Sequence, residues 1–331
     1  MTLEKINYCY NNKLPILKKG WKGNIQINNR FYNSKNSVKS PVTSVLKWKI
    51  SGNPQKEEKK NDTFKLSIKP INDFNQSENQ LIWLGHASFL IRFEGVNLIT
   101  DPIFFDIPTT KREVDLPCEI DQIKNIDYLL LSHDHRDHFD IKSLKKLIEN
   151  NPKIDALIPL GMNKVLKKNK LKINKTQEAG WYQSYQINND FKIVFLPASH
   201  WGRRGLFDFN KTLWGGFLLI GKTKKIYFSG DTAYDDTLFK EIHNEFGDID
   251  VCLLPIGAYS PSFIMKQSHT TPEEAYQIFN DLHGKTFIPM HYGTYDLSDE
   301  PLGEPIKRLK VCFKNDNRLH RVDVGEVFSW D

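Results

Sequence analysis

Between residues 80 and 100 short apolar runs are broken at Gly85 and at Glu94-Gly95. This pattern predicts three consecutive strands, 80–84, 88–93 and 96–100, with the second break reading as a hairpin turn and Asp101-Pro102 ending the third strand. Downstream the period alternates. Strands are expected at 126–131, 154–158, 191–196, 213–220, 224–229, 250–254 and 285–289, interleaved with helices near 141–149, 161–169, 236–246 and 272–282. Such an order implies an α/β layered architecture in which helices cover the sheets. The helix at 272 has a start signal: Thr270 or Thr271 can cap it, Pro272 suits its first turn, and Glu273 and Glu274 favour its positive end.

Upstream the pattern disappears. The stretch from Ser51 to Asn79 is polar, with Gln55-Lys56-Glu57-Glu58-Lys59-Lys60-Asn61-Asp62 at its centre, and reads as a linker or exposed loop. The expected organisation is a basic extension and linker over 1–78 and one large domain over 79–331. Residues 1–56 hold 11 Lys or Arg against one acid, Glu4, a balance of +10 in a chain whose total is +6, so the remainder carries −4. Lys18, Lys19, Lys22, Arg30, Lys35, Lys39, Lys47 and Lys49 are interleaved with Trp21, Phe31, Tyr32, Leu46 and Trp48. That mixture fits peripheral contact with an anionic membrane, and equally an extension packed on the main domain. No nucleic-acid motif accompanies the charge, so no nucleic-acid partner is expected.

With 331 residues and 39% hydrophobic composition the chain can bury a sizeable core. It has no apolar run long enough to span a bilayer, about 18 residues, and no signal peptide at its N-terminus, so the expected address is the cytoplasm, with peripheral membrane attachment allowed. Cys9, Cys118, Cys252 and Cys312 are too scattered for a disulfide framework or a thiolate zinc site, and read as incidental thiols. A homodimer is compatible with the sequence.

Chemistry concentrates after the apolar strand at 126–131. Leu131-Ser132-His133-Asp134-His135-Arg136-Asp137-His138-Phe139-Asp140 packs three histidines and three carboxylates into ten residues on the loop leaving a strand end. Other strand ends contribute His200, Asp231 and His291, and His269 lies in the polar turn before the helix at 272. Strand ends along one sheet edge can converge. Imidazole and carboxylate without cysteine suit zinc or a similar first-row divalent ion. His133, His135, Asp137, His138, His200, Asp231 and His291 are too many ligands for one tetrahedral ion, so two Zn2+ ions are expected, with Asp231 as the natural bridge. Asp101 and Asp140 are candidates to orient the histidines, or else to stabilise turns. His86 fits a site role and a satisfied loop histidine equally well, while His243, His283 and His320 have no motif around them and read as surface residues.

These residues carry a resemblance. The run 133–138 with His200, Asp231 and His291 resembles the metallo-β-lactamase superfamily. Its surroundings, Trp83-Leu84-Gly85-His86-Ala87, Thr100-Asp101-Pro102-Ile103-Phe104, Pro197-Ala198-Ser199-His200-Trp201, Leu213-Trp214-Gly215-Gly216, Gly230-Asp231-Thr232, Pro255-Ile256-Gly257-Ala258-Tyr259 and Pro272-Glu273-Glu274-Ala275, are similar to the branch that hydrolyses N-acyl phosphatidylethanolamine as a phospholipase D. The resemblance runs from about Arg30 to the C-terminus. It implies a four-layer αβ/βα sandwich, with His133, His135 and His200 on one metal, Asp137, His138 and His291 on the other, and Asp231 bridging.

The implied reaction is attack by metal-activated hydroxide on a phospholipid or small phosphodiester, with Asp137 accepting a proton and His269 orienting phosphate or acting as general acid. Trp201, Leu206, Phe207, Trp214, Tyr259, Phe263 and Met265 could line an acyl cavity, and each also fits ordinary packing. Residues beside the motifs, such as Ile141 and Ser268, depart from the animal enzyme, so lipid preference does not carry over. A lactonase or cyclic phosphodiester hydrolase of the same superfamily is the alternative. An RNA-processing nuclease ranks below both, because the extra domain and later histidine motifs of those enzymes are absent.

Overall fold

A computed structural model describes residues 6–33, 47–48, 50–71, 73–74, 77–108, 110–187 and 190–330. Lys35, Lys39, Leu46 and Lys49 of the basic segment lie outside the described residues. Three strands come first, β1 (Asn7–Cys9), β2 (Asn24–Ile27) and β3 (Arg30–Tyr32), then a short helix α1 (Lys56–Lys60). A first half follows with β4 (Gln80–Trp83), β5 (Phe89–Phe93), β6 (Val96–Thr100), β7 (Tyr128–Leu130), α2 (Ile141–Asn150), β8 (Asp155–Pro159), α3 (Met162–Lys168) and β9 (Lys175–Ala179). The second half holds β10 (Gln183–Ser184), β11 (Lys192–Leu196), β12 (Gly216–Ile220), β13 (Lys225–Phe228), α4 (Leu238–Phe246), β14 (Val251–Pro255), α5 (Ser262–Met265), α6 (Pro272–Asp281) and β15 (Thr286–Met290). It ends with α7 (Glu304–Cys312) and β16 (Val327–Ser329).

Period-two alternation explains the layering. Leu81, Trp83, Phe89, Ile91 and Phe93 point into one apolar cluster, whereas Ile82, Leu84 and Leu90 point into another with Leu144, Leu147, Met162 and Leu166 from α2 and α3. The first cluster also takes Phe195, Phe217 and Phe228 from β11, β12 and β13, and Ile242, Ile278 and Leu309 from α4, α6 and α7. Two sheets therefore face each other, each backed by helices, in the expected αβ/βα sandwich. One sheet runs β16-β4-β5-β6-β7-β8-β9 and the other β10-β11-β12-β13-β14-β15. Pairing is antiparallel from β16 to β6 and parallel from β6 to β9. Likewise it is antiparallel from β10 to β13 and parallel from β13 to β15. The parallel strands β6, β7, β13, β14 and β15 aim their C-terminal ends at one edge, where the chemical residues follow.

Several elements differ from the expectation. The strand expected at 213–220 begins at Gly216, because the amides of Leu213 and Gly215 bond across to the carbonyls of Leu160 and Ser132 at 2.9 and 3.1 Å. β9 is Lys-Thr-Gln-Glu-Ala, too polar for its period to register.

The segment expected as a linker holds α1, and its residues pack: Ile71 is buried, Phe64 and Leu66 lie against the core, and the Lys69 amide donates to the Val324 carbonyl at 2.8 Å. The first strands are likewise tied down. Phe31 is buried, its amide bonds the Asn210 carbonyl at 2.7 Å, and Trp21 packs edge-on against Tyr182 with centroids 5.0 Å apart. Lys18 pairs with Glu241 and covers the Tyr182 ring. Of the two readings open for this segment, Trp21 and Phe31 take the packed one.

Candidate metal centre

Short turns after four strands deliver residues of the centre. After β7 the chain bends at Ser132, whose amide and hydroxyl donate to the two Asp101 oxygens at 2.7 and 2.5 Å. After β13, Gly230 takes a left-handed φ of +60°; a Cβ there would meet the Gly215 carbonyl and Ser132 Cβ, each at 2.8 Å, so only glycine turns the chain into Asp231. After β15, His291 itself adopts φ +61°, and His86, after β4, adopts φ +52°. Non-glycine residues seldom hold this conformation, and here two of them stand side by side with ring centroids 4.0 Å apart and planes tilted by 39°.

Hydrogen bonds fix which nitrogen of each ring points inward. His138 Nδ1 donates to Asp101 Oδ2 at 2.8 Å, His133 Nδ1 to Ser132 Oγ at 2.9 Å, and His200 Nδ1 to the Ser268 carbonyl at 2.8 Å. Their Nε2 atoms are left facing Asp231 Oδ2, at 3.2 Å for His138, 3.9 Å for His133 and 3.8 Å for His200. His291 Nε2 lies 3.2 Å from Asp231 Oδ1 and 3.6 Å from Asp137 Oδ2. His135 Nδ1 and His200 Nε2 are 3.1 Å apart. Donor atoms fall into two groups, His133, His135, His200 and Asp231, and His86, Asp137, His138 and His291, with atoms in each group within 4.8 Å of one another. Asp231, through its contacts to His138 and His291, joins the two.

Electrostatics show which charge this cluster of protein atoms suits. Burial, with neighbouring imidazoles, holds His133 and His200 well below the usual histidine range; burial chiefly lowers His86 to about 3 and His135 and His269 to about 4. For Asp137 and Asp231 burial raises the pKa, yet the adjacent imidazoles, His138 first, together outweigh it and keep both carboxylates ionised. The reverse holds at His138 and His291: burial lowers them, but Asp231 leads a set of carboxylates that pushes His138 well up and His291 to about 9. Two ionised carboxylates, Asp231 buried and Asp137 partly so, thus demand positive charge. His133 Nε2, His138 Nε2, His291 Nε2, His269 Nδ1 and both Asp231 oxygens are nevertheless buried with no hydrogen-bond partner. Orphaned lone pairs around ionised carboxylates are what divalent cations satisfy, so this donor set fits metal.

All seven expected ligands meet here, and His269 joins them with Nδ1 3.8 Å from Asp231 Oδ2. His86 belongs too: it is buried and its Nε2 lies 3.2 Å from Asp137 Oδ2. Its signal was the position after β4 beside Gly85. Ser132 went unread because a hydroxyl carries no metal signature. Asp101 orients His138, whereas Asp140 caps α2, accepting from the Ser143 amide and hydroxyl at 2.8 and 2.6 Å, so it serves a turn.

The residues that could line an acyl cavity take different places. Trp214 is buried beside Trp181 and Tyr259 is buried with its hydroxyl donating to Glu304 at 2.7 Å, so both serve packing. Trp201 does face the centre, its ring 4.2 Å from His135. Leu206 and Phe207 are 79% and 80% exposed on the following loop, and Phe263 is 43% exposed. A cavity of about 890 Å³ opens elsewhere, beside Arg30, Phe31, Lys164, Lys168 and Lys211, and meets the histidine loop at Asp134.

A family model described as the β-lactamase superfamily domain matches residues 96–292. The chain belongs to the metallo-β-lactamase superfamily. Within that superfamily it is 34% identical over 265 residues to N-acyl-phosphatidylethanolamine-hydrolyzing phospholipase D 1 of Caenorhabditis elegans, covering 75% of this chain and 74% of the worm protein. It is 34% identical over 264 residues to the mitochondrial N-acyl-phosphatidylethanolamine-hydrolyzing phospholipase D of Saccharomyces cerevisiae, covering 75% of this chain but 55% of the yeast protein. Among solved structures, a metallo hydrolase of Ignicoccus hospitalis shares the fold, with a TM-score of 0.58 at 19% identity over 76% of this chain and 98% of the archaeal one. The superfamily's fold, its relatives and the His/Asp cluster together make this chain a metal-dependent hydrolase with a divalent-cation site. Among the described residues no helix is long and apolar enough to cross a membrane.

Proposed function

We propose that this chain is a dinuclear, zinc-dependent phosphodiesterase of the phospholipase D type, acting on N-acyl phosphatidylethanolamine or a related phospholipid at a membrane surface reached from the cytoplasm. The observation that carries the proposal is the pair of four-residue donor groups joined by Asp231, whose two oxygens face histidines of both groups, His200 at 3.8 Å and His291 at 3.2 Å. His133, His135 and His200 would hold one ion and Asp137, His138 and His291 the other. Bound there, two such ions supply a hydrolytic nucleophile at neutral pH and offset charge on phosphoryl oxygens.

The chain's own groups do the rest. Asp137, ionised and 3.2 Å from His86, is available to accept a proton. His269 is neutral at pH 7 and sits beside Asp231, where its ring can donate to a phosphoryl oxygen and orient the diester. The lipid half of the proposal is supported by the two relatives named for that activity and by Leu206 and Phe207, bare apolar side chains on the loop after Trp201 with Arg203 and Arg204 preceding them.

One observation favours a second reading, a lactonase or cyclic phosphodiester hydrolase: Trp214 and Tyr259 are taken up by packing and so do not line an acyl cavity. Mixed micelles containing N-acyl phosphatidylethanolamine decide between them. Phosphatidic acid should appear with the zinc-loaded protein and disappear in Asp231→Asn, alongside a loss of bound metal and an unchanged circular dichroism spectrum. Turnover confined to water-soluble esters would overturn the lipid reading, and full activity in Asp231→Asn would overturn the two-metal one.

A further inference from the structure

His86 stands in the centre without being one of the seven expected ligands. It leaves β4 in a left-handed conformation, φ +52°, and hydrogen bonds on both sides of its backbone hold it there. Its amide donates to Thr294 Oγ1 at 2.8 Å, and its carbonyl accepts from the Trp83 indole at 2.9 Å and from the His291 amide at 3.0 Å. A non-glycine residue kept in so sparsely populated a region, by partners from β4 and from the turn after β15, points to a task for its side chain.

That side chain meets one half of the centre. Its ring lies 4.0 Å from that of His291 and 5.2 Å from that of His138, centroid to centroid, and its Nε2 stands 3.2 Å from Asp137 Oδ2. Tyr295 closes another side edge-on, with centroids 5.2 Å apart. Asp137, His138 and His291 are the three residues that would hold one of the two ions. Among the described residues, no hydrogen bond or ring contact joins His86 to His133, His135 or His200, which would hold the other.

The donor atoms of His86, Asp137, His138 and His291 lie within 4.8 Å of one another, yet His86 is not suited to be a further ligand. An imidazole nitrogen facing an ionised carboxylate must donate, so the proton sits on Nε2 and leaves that nitrogen no lone pair for a cation. Asp137 can serve both partners, because its two carboxylate oxygens offer several lone pairs. We propose that His86 is a positioning residue: by donating Nε2–H to Asp137 and packing on His291 it preorganises the ligands of one ion and not those of the other. This inference rests on the two-metal reading.

Zinc titration of full-length, chelator-treated protein in competition with a chromophoric chelator tests it on the wild type, His86→Phe and His86→Gln. Phenylalanine keeps the ring and loses the N–H, whereas glutamine keeps an N–H donor. The wild type should bind two equivalents; fewer would overturn the two-metal reading and this inference with it. With two bound in the wild type, His86→Phe should hold one ion as tightly as the wild type and the other about 10–100-fold more weakly, with an unchanged circular dichroism spectrum. His86→Gln should recover most of that loss. Wild-type affinity for both ions in His86→Phe, an equal weakening of both, or a loss in His86→Gln as large as in His86→Phe would each overturn the inference alone. A measurement on the wild type keeps the test decisive should His86→Phe fail to fold. Proton–nitrogen correlation spectra of the imidazoles in the zinc-loaded protein should show His86 protonated on Nε2, and a proton on Nδ1 instead would overturn the assignment.

Discussion

Asp101 and Asp140 flank the histidine loop, and their side chains turn in opposite directions. Asp101 is buried among Ser132 and His138, aiming the His138 ring inward. Asp101→Asn should therefore weaken metal binding by about 10–100-fold, read by competition with a chromophoric chelator. Asp140 bonds the first turn of α2 instead. Asp140→Ala should lower unfolding free energy in urea by ~1 kcal/mol while metal content and turnover stay at wild-type values. The sequence could name both carboxylates but not separate them, since orientation depends on whether the nearest orphan donor is an imidazole or a helix N-terminus. His86 was ambiguous for the same reason. Its partner Asp137 is 51 positions away, and nothing local says that the loops after β4 and β7 come together.

At the scale of elements, the loop 201–209 is held firmly while its tip is bare. Arg204 Nη1 donates to the carbonyls of Asp134 and Phe139 at 2.9 and 2.8 Å, and the Asp208 carboxylate accepts from the Gly205 amide at 2.8 Å. Arg30 adds a bond to the Phe209 carbonyl. A loop anchored this way presents Leu206 and Phe207 at little further entropic cost on docking. Leu206→Ser/Phe207→Ser should weaken sedimentation with anionic vesicles and leave turnover of a water-soluble diester unchanged. An equal loss in both would remove this loop from the membrane proposal. Elements with strong apolar period were legible from sequence: β4, β5, β6, α2, β14 and α6 fall within two residues of expectation. The polar β9, the two-residue β10 and the short β16 were not, because their pairing comes from neighbouring strands rather than from their own side chains.

Across the whole molecule, the centre sets how stability follows pH when metal is removed. His86, His135 and His269 are held near 3, 4 and 4 against 6.5 in an open chain, so between about pH 6.5 and 4 the unfolded state binds more protons than the folded one. Stability must fall as acid is added through that window. His291 acts in the opposite sense: raised to about 9, its contribution is complete below 6.5 and is lost as pH climbs through 9. Chelator-treated protein should accordingly show its highest melting temperature near pH 6.5 and decline on both sides, measured by calorimetry in matched ionic strength. A melting temperature that keeps rising from pH 6.5 to 9 would contradict the charge arrangement around Asp231.

The sandwich itself was expected from the alternation of strands and helices together with the family likeness. The attachment of residues 50–71 to it was not, and that of residues 6–33 was one of two open readings. Polar, lysine-rich sequence hides contacts such as those of Phe31 and Ile71, in which a single buried side chain anchors a hydrophilic segment.

β16 pairs with β4 through Val327 and Ile82, Phe328 and Leu81, and Ser329 and Gln80, and the Trp330 amide reaches the Asn79 carbonyl at 3.2 Å. Three residues near the C-terminus thereby shield the flank of a seven-stranded sheet whose next strand is fully buried. Trimming them would expose a ready template along β4 on which a second chain could add a strand, so the tail guards against self-association.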